Sequence, residues 1–151
     1  MQISNKCYYA LRALYELSVH IDASQPVKIG FIAQKQRIPK RFLEVILSEL
    51  RQGGFVESRR GADGGYILAR KPSQITIGEV VRFVDREIAP VACVSDSPQA
   101  VSCEFSFECP FYGFWLQAKQ ALETVYDGTT LADIVERWYA ISAKESFIYE
   151  I

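Results

Sequence analysis

Four cysteines, one histidine and a surplus of lysine and arginine at one end are the side chains through which this 151-residue sequence could do chemistry. Cys93, Cys103 and Cys109 form a late group, with nine residues between the first two and five between the last two. Thiolates are soft ligands that suit zinc and iron–sulfur clusters. No Cys-x-x-Cys pair is present, so the spacing alone selects neither metal. Cys7 stands apart near the start, where a free cysteine is commonly a small buried hydrophobe. His20 falls at the end of the first helical stretch, placed to interact with the terminal carbonyls there. With one histidine and no nucleophile, base and orienting partner in sight, the sequence does not read as an enzyme.

The second chemical signal is charge. Residues 1–72 carry twelve lysines and arginines against six aspartates and glutamates, a balance of +6, whereas residues 73–151 carry five against twelve, a balance of −7. The net charge of −1 conceals this division. Clustered cations at one end suit a polyanion, because phosphate backbones reward lysine and arginine through counterion release. We therefore divide the chain into a DNA-binding part, 1–72, and a sensor and dimerisation part, 73–151. An apolar content of 49% with 23% charged residues is globular and excludes disorder as the main state. No segment has a signal peptide's pattern or the roughly 18 apolar residues of a membrane span. The expected setting is the cytoplasm, where cysteines serve as ligands or sensors in preference to a disulfide framework.

The elements that must position these groups follow from periodicity. A first helix over 4–20 carries Ala10, Leu14, Leu17 and Ile21 as one buried stripe. A short helical segment, 28–36, contains Ile29, Ile32 and Ala33 and stops before Pro39, which restarts the chain as a new helix. That helix carries Phe42, Leu43, Ile46, Leu47 and Leu50 on one face and Lys40, Arg41, Glu44 and Ser48 on the other, ending at Gly53-Gly54. Two extended runs, 55–60 and 66–69, flank a glycine-rich turn. A nucleotide-binding loop would need a helix after its glycines, and here a strand follows. Helix, turn, helix and basic hairpin together predict a winged helix-turn-helix, with one helix in the major groove and the wing on neighbouring phosphates or the minor groove.

In the second part, Thr76 with Glu79 and Thr130 with Asp133 have capping-box spacing and open two helices. Residues 88–108 lack periodicity and form a loop long enough to have a functional role. After it, Phe111, Trp115, Ala118, Leu122 and Val125 follow a heptad seam, the expected homodimer interface. A final helix contains Ile134, Val135, Trp138 and Tyr139. The predicted fold is mainly α, with a small β-hairpin wing and a long C-terminal dimerisation helix.

The stretch from Phe42-Leu43-Glu44 through Gly64-Gly65-Tyr66-Ile67-Leu68, followed by Ile77-Gly78-Glu79-Val80-Val81, resembles the Rrf-two type winged-helix regulators, the IscR, NsrR and CymR family. Tyr9-Ala10-Leu11, Ile32-Ala33 and the late cysteines fall in the family's order, so the likeness spans nearly the whole chain. It implies a dimeric transcription factor, a repressor in its simplest form, on a pseudo-palindromic operator in double-stranded DNA. Carried over by position, Lys40, Arg41 and Glu44 lie on the recognition helix, Lys28 opens the supporting helix, and Arg59, Arg60 and Gly61 lie at the wing. Glu49 and Arg51 read as solvated helix charges. The likeness also implies an iron–sulfur cluster at Cys93, Cys103 and Cys109, two-iron in preference to four-iron. Tyr112 stands where one branch has a histidine ligand, and Tyr8 where another has a carboxylate. The fourth ligand would come from Cys7, Glu104, Glu108 or an exogenous group. Two alternatives stay open: a cluster-free regulator that senses thiol oxidation or a metabolite, and a winged-helix adaptor that binds only protein.

Overall fold

The Ser4 hydroxyl accepts the Cys7 amide at 3.0 Å and so opens the first helix, α1 (Asn5–Val19). The fold is that of a computed structural model, which describes residues 2–23, 25–96, 105 and 108–148. Ala10, Ala13, Leu14 and Leu17 recur along one face of α1 and are buried. Ile21 does not extend that stripe: the helix ends at Val19 and Ile21 is 43% exposed in the turn beyond it.

Helix α2 (Ile29–Gln36) stops where Arg37 takes the left-handed conformation, φ 52° and ψ 42°, and Ile38 donates back to the Ala33 carbonyl at 3.0 Å. Pro39 is the N-cap of α3 (Lys40–Gln52), one position earlier than the first-turn placement expected of it. Leu43, Ile46, Leu47 and Leu50 are buried, but Phe42 is 62% exposed. Each helical residue turns about 100° from the last, so Phe42, one place before Leu43, falls off the stripe. The end of α3 is a Schellman turn, with Phe55 donating to the Leu50 carbonyl, Gly54 to that of Arg51, and Gly54 at φ 73°.

Strands β1 (Val56–Arg59) and β2 (Gly65–Leu68) pair antiparallel, Val56 opposite Leu68 and Arg59 opposite Gly65. Tyr66 also exchanges both backbone bonds with Val27, at 2.9 Å each, which seats the wing against the entry to α2. A Cβ on Gly65 would strike the Val27 carbonyl, so glycine is what permits this approach.

Helix α4 (Ile77–Asp85) begins at Thr76, whose Oγ1 accepts the Glu79 amide at 3.1 Å. The reciprocal half of the expected capping box is replaced by an ion pair, since Arg70 takes the Glu79 carboxylate at 2.7 Å. At α6 (Leu131–Ile148) the box is complete: Asp133 donates its amide to Thr130 Oγ1 at 3.2 Å and accepts the Thr130 amide at 2.7 Å. These bonds, the Thr130 hydroxyl's foremost, hold the Asp133 carboxyl below its ordinary range.

Helix α5 (Tyr112–Asp127) is tied to α4 by Arg82, which donates to both Asp127 oxygens at 2.6 and 2.9 Å. Arg82 depresses the Asp127 carboxyl, so this tie is present above the ordinary carboxylate range and is lost as pH falls through the lowered value. Pro72 marks the change in charge, yet the buried cluster continues past it. Ile75, Val80 and Leu131 pack with Leu14, Leu47 and Phe55. No helix among the described residues is long and apolar enough to cross a membrane.

Candidate nucleic-acid interface and thiol loop

Lys28 is the N-cap of α2; the Phe31 amide turns back to the Lys28 carbonyl at 3.0 Å, and no side chain caps the start of the helix. A groove of about 670 Å³ lies between this helix start and the wing, and Lys28, Gly30, Gln34, Arg59 and Gly61 line it. The groove thus joins one cation from the supporting helix to one from the hairpin, with Gly61 at φ 109° in the wing turn. Lys40, Arg41 and Glu44 are exposed on the first turns of α3, outside that groove, and Arg60 is exposed at the wing. Among the described residues, Lys28, Lys40, Arg41 and Arg60 form no ion pair. Arg59 lies 3.6 Å from Glu57, an exposed pairing of little worth. Glu49 and Arg51 are not simply solvated, for Glu49 pairs with Lys6 at 2.5 Å and Arg51 donates to Ser58 Oγ at 3.2 Å.

Val45, on the exposed side of α3 and 56% accessible, escaped the sequence reading together with the true exposure of Phe42. The helical phase set by Leu43, Ile46 and Leu47 was the signal that would have placed both outside. Gln34 and Tyr66, which also line the groove, carry no charge and left no local signal.

The described thiols occupy two different settings. Cys93 lies in a short 3-10 turn, Ala92–Val94, that packs on α5, and Cys109 lies three residues before that helix; both are half-buried. Cys103 and Glu104 lie outside the described residues. Glu108 is exposed, and among the described residues no three His, Cys, Asp or Glu side chains come together as a metal would require. Lys119 anchors the start of the loop: it is buried on α5 and reaches Asp96 at 2.5 Å. This residue was missed because a lone lysine in a seam helix looks solvated. Its position four after Trp115 on the half-buried side was the available clue.

Three thiols in one loop are suitable donors for an iron–sulfur cluster, and Cys93 and Cys109 are accessible enough to serve. Cys7 does not fit that role within its own chain. It is fully buried beside Val81 and Ile88, and burial, then the charge of Asp85 and a hydrogen bond to it, push the thiol up to about 12. Alkylation of the metal-free, reduced native protein at mildly alkaline pH should therefore modify Cys93 and Cys109 while sparing Cys7 until denaturant is added. Peptide mass spectrometry reads this directly, and early labelling of Cys7 would contradict the burial.

The heptad residues do not all face one way. Leu122 packs inward on the Cys7 cluster, Trp115 and Ala118 are half-buried, and Phe111 and Val125 are 61% and 62% exposed. Phe114, also exposed, meets Trp115 edge-on at 4.9 Å between ring centroids. His20 lies near Glu16 at 3.2 Å and against the Phe31 ring, so its side-chain partner is a carboxylate and not the helix-end carbonyls.

Comparison with known proteins gives a consistent result. The Rrf2 family model, described as an iron-dependent transcriptional regulator, matches residues 3–137. The sequence is 32% identical over 151 residues to the HTH-type transcriptional regulator CymR of Bacillus subtilis, covering 100% of each chain. The solved structure of CymR (YrzC), the global cysteine regulator of B. subtilis, superposes with a TM-score of 0.74 at 31% identity, over 91% of this chain and 98% of that one. IscR of T. potens superposes with a TM-score of 0.72 at 33% identity, over 91% and 88%.

Proposed function

Because the chain belongs to the Rrf2 family of transcriptional regulators, we propose that it acts as a cytoplasmic homodimer on a pseudo-palindromic operator, most simply as a repressor, with its affinity set at the loop of Cys93, Cys103 and Cys109. The observation that carries the DNA part of this reading is the groove that Lys28 and Arg59 line together beside the start of α2, which no side chain caps. Helix starts and cations both favour phosphate, and each phosphate neutralised releases counterions. Lys40 and Arg41 neutralise phosphates at the edge of the major groove, where either can also reach guanine, and Glu44 accepts from cytosine. Arg60 with Gly61 extends the contact along the wing. The exposed Phe111 and Val125 supply the dimer seam beside the half-buried Trp115 and Ala118, while Leu122 secures α5 to its own chain.

Cys93, Cys103 and Cys109 would hold an iron–sulfur cluster of the two-iron kind, which supplies one-electron redox chemistry and sensitivity to oxidants. The protein's own residues carry a displacement of the loop onward. Lys119 holds Asp96 to α5, Ser95 donates to Glu87 beyond the end of α4, and Arg82 clamps α4 to α5. Two positions of the loop therefore become two positions of the helices on which the DNA-reading module rests, and a ligand or oxidant shifts affinity through its differential stabilisation of those states.

The test combines spectroscopy with DNA binding. Anaerobically isolated and reconstituted protein should contain iron and sulfide, show visible absorption, and retain a promoter fragment over random duplex in one oxidation state more than the other. Colourless protein without iron or sulfide after reconstitution would remove the cluster and leave DNA binding intact. The likeness to the global cysteine regulator supports a second reading, in which thiol oxidation without a cluster is the signal. A Cys103–Cys109 disulfide in the low-affinity state, found by mass spectrometry, would select it.

A further inference from the structure

The groove between α1, α2 and α6 carries charge that DNA recognition and the thiol loop leave unused. Its volume is about 480 Å³, within the roughly 300–1,000 Å³ typical of small-molecule sites. Arg12 enters it from α1, Lys35 from α2 and Arg137 from α6, and no aspartate or glutamate is among its described lining residues. The nearest buried carboxylate, Glu16, is engaged elsewhere, by the Gln36 amide and by His20. Arg12 is held in place, with Nε donating to Gln36 Oε1 at 3.0 Å and Nη1 donating to Tyr8 Oη at 3.1 Å. Neither bond uses Nη2.

An apolar recess of about 290 Å³ continues from the same walls, sharing Tyr8, Arg12, Tyr15 and Ile134 with the groove and adding Leu11, Ile77 and Leu131. A cationic opening above an apolar recess is complementary to one class of small molecule. We propose that this groove binds an organic carboxylate with an apolar body, its charge between Arg12 and Arg137 and its body against Tyr15 and Ile134. Three cations exclude an amine of the same shape, and the recess gives inorganic phosphate nothing to fill it.

The position of the groove gives occupancy a consequence. Helix α2 has Lys28 at the DNA-side groove as its N-cap and Lys35 at this one in its last turn. A carboxylate linking α2 to α6 would favour whichever arrangement of the two helices it fits better, and so alter operator affinity. That effect rests on the DNA-binding reading above, whereas the binding itself does not.

The experiment uses the full chain labelled with 5-fluorotryptophan, whose two indoles, Trp115 and Trp138, give separate fluorine resonances. The signal absent from Trp138→Phe reports on the groove, since Trp138 lines it and Trp115 does not. Hexanoate or phenylacetate should shift that signal saturably, and Arg137→Gln should weaken the dissociation constant about tenfold, equivalent to about 1.4 kcal/mol. Lys35→Gln, at another exposed position, should weaken it in the same direction. The proposal is overturned if neither carboxylate gives a saturable shift, if hexylammonium shifts the signal equally, or if both substitutions leave the affinity unchanged. Retention of a duplex fragment is measured on the same samples. Carboxylate binding without DNA binding would remove the proposed DNA contacts and keep this site, and the reverse would remove this site alone.

Discussion

Alanine at both Lys40 and Arg41 should lower duplex affinity about a hundredfold and flatten the dependence of log affinity on log salt by about two units. The salt term follows from counterion release, with a slope of about 0.9 per neutralised phosphate, so two lost contacts remove nearly two. The affinity term follows from hydrogen bonds to charged groups, worth about 1.5–3 kcal/mol each where the acceptor is desolvated, with the low end already giving a hundredfold for the pair. Folding should be untouched, because both side chains are exposed on the first turn of α3 and neither is in an ion pair among the described residues. Lys71→Ala removes a charge from an exposed position past the end of β2, on neither α3 nor the hairpin turn, and should change both quantities little. Fluorescence anisotropy over a salt series separates the outcomes. A weakened complex with an unchanged slope would mean that these residues read bases and not phosphates. No change in either would remove α3 from the interface.

The helices and hairpin were legible in the sequence because their signals are local. Leu43, Ile46, Leu47 and Leu50 state the phase of α3 by themselves, and Gly53-Gly54 state its end. Errors arose where a third element decided the outcome. Glu79 has the spacing of a capping partner but is taken by Arg70, nine residues earlier, through a contact that exists only once the hairpin has returned. Leu122 belongs to a heptad seam by spacing, yet it packs within its own chain against the buried cluster of Cys7, Val81 and Ile88. Lys119 is buried on α5 and pairs with Asp96 from the loop, a contact that helical periodicity does not encode. The basic face was visible as composition. Its division into one groove holding Lys28 and Arg59 and a separate exposed turn holding Lys40 and Arg41 depended on the Val27–Tyr66 bridge. The carboxylate groove was invisible for the same reason, since Arg12, Lys35 and Arg137 are brought together only by the packing of α6 on α1.

Phe55→Ala should cost about 3–5 kcal/mol, the usual range for truncating a buried phenylalanine, and should lower the unfolding midpoint by about 10 °C at this chain length. Phe55 is 2% exposed at the junction of α3 and β1. Its ring lies 5.1 Å from that of Phe83 on α4, and the Arg70 guanidinium sits 5.3 Å above it. One side chain therefore joins the end of α3, the start of β1 and α4. Its loss would also leave Arg70, which pairs with Glu79, without the ring beneath its guanidinium. Phe83→Ala should cost clearly less, because that ring is 40% exposed and leaves a cavity that water can enter. Chemical denaturation of the two variants gives the comparison. If they prove equal, the junction is held by the backbone bonds of the Schellman turn, and Phe55 only fills space. If Phe55→Ala instead unfolds 1–72 separately from the rest, the two oppositely charged parts are joined chiefly through this ring, and a displacement that starts at the thiol loop must pass through it to reach DNA.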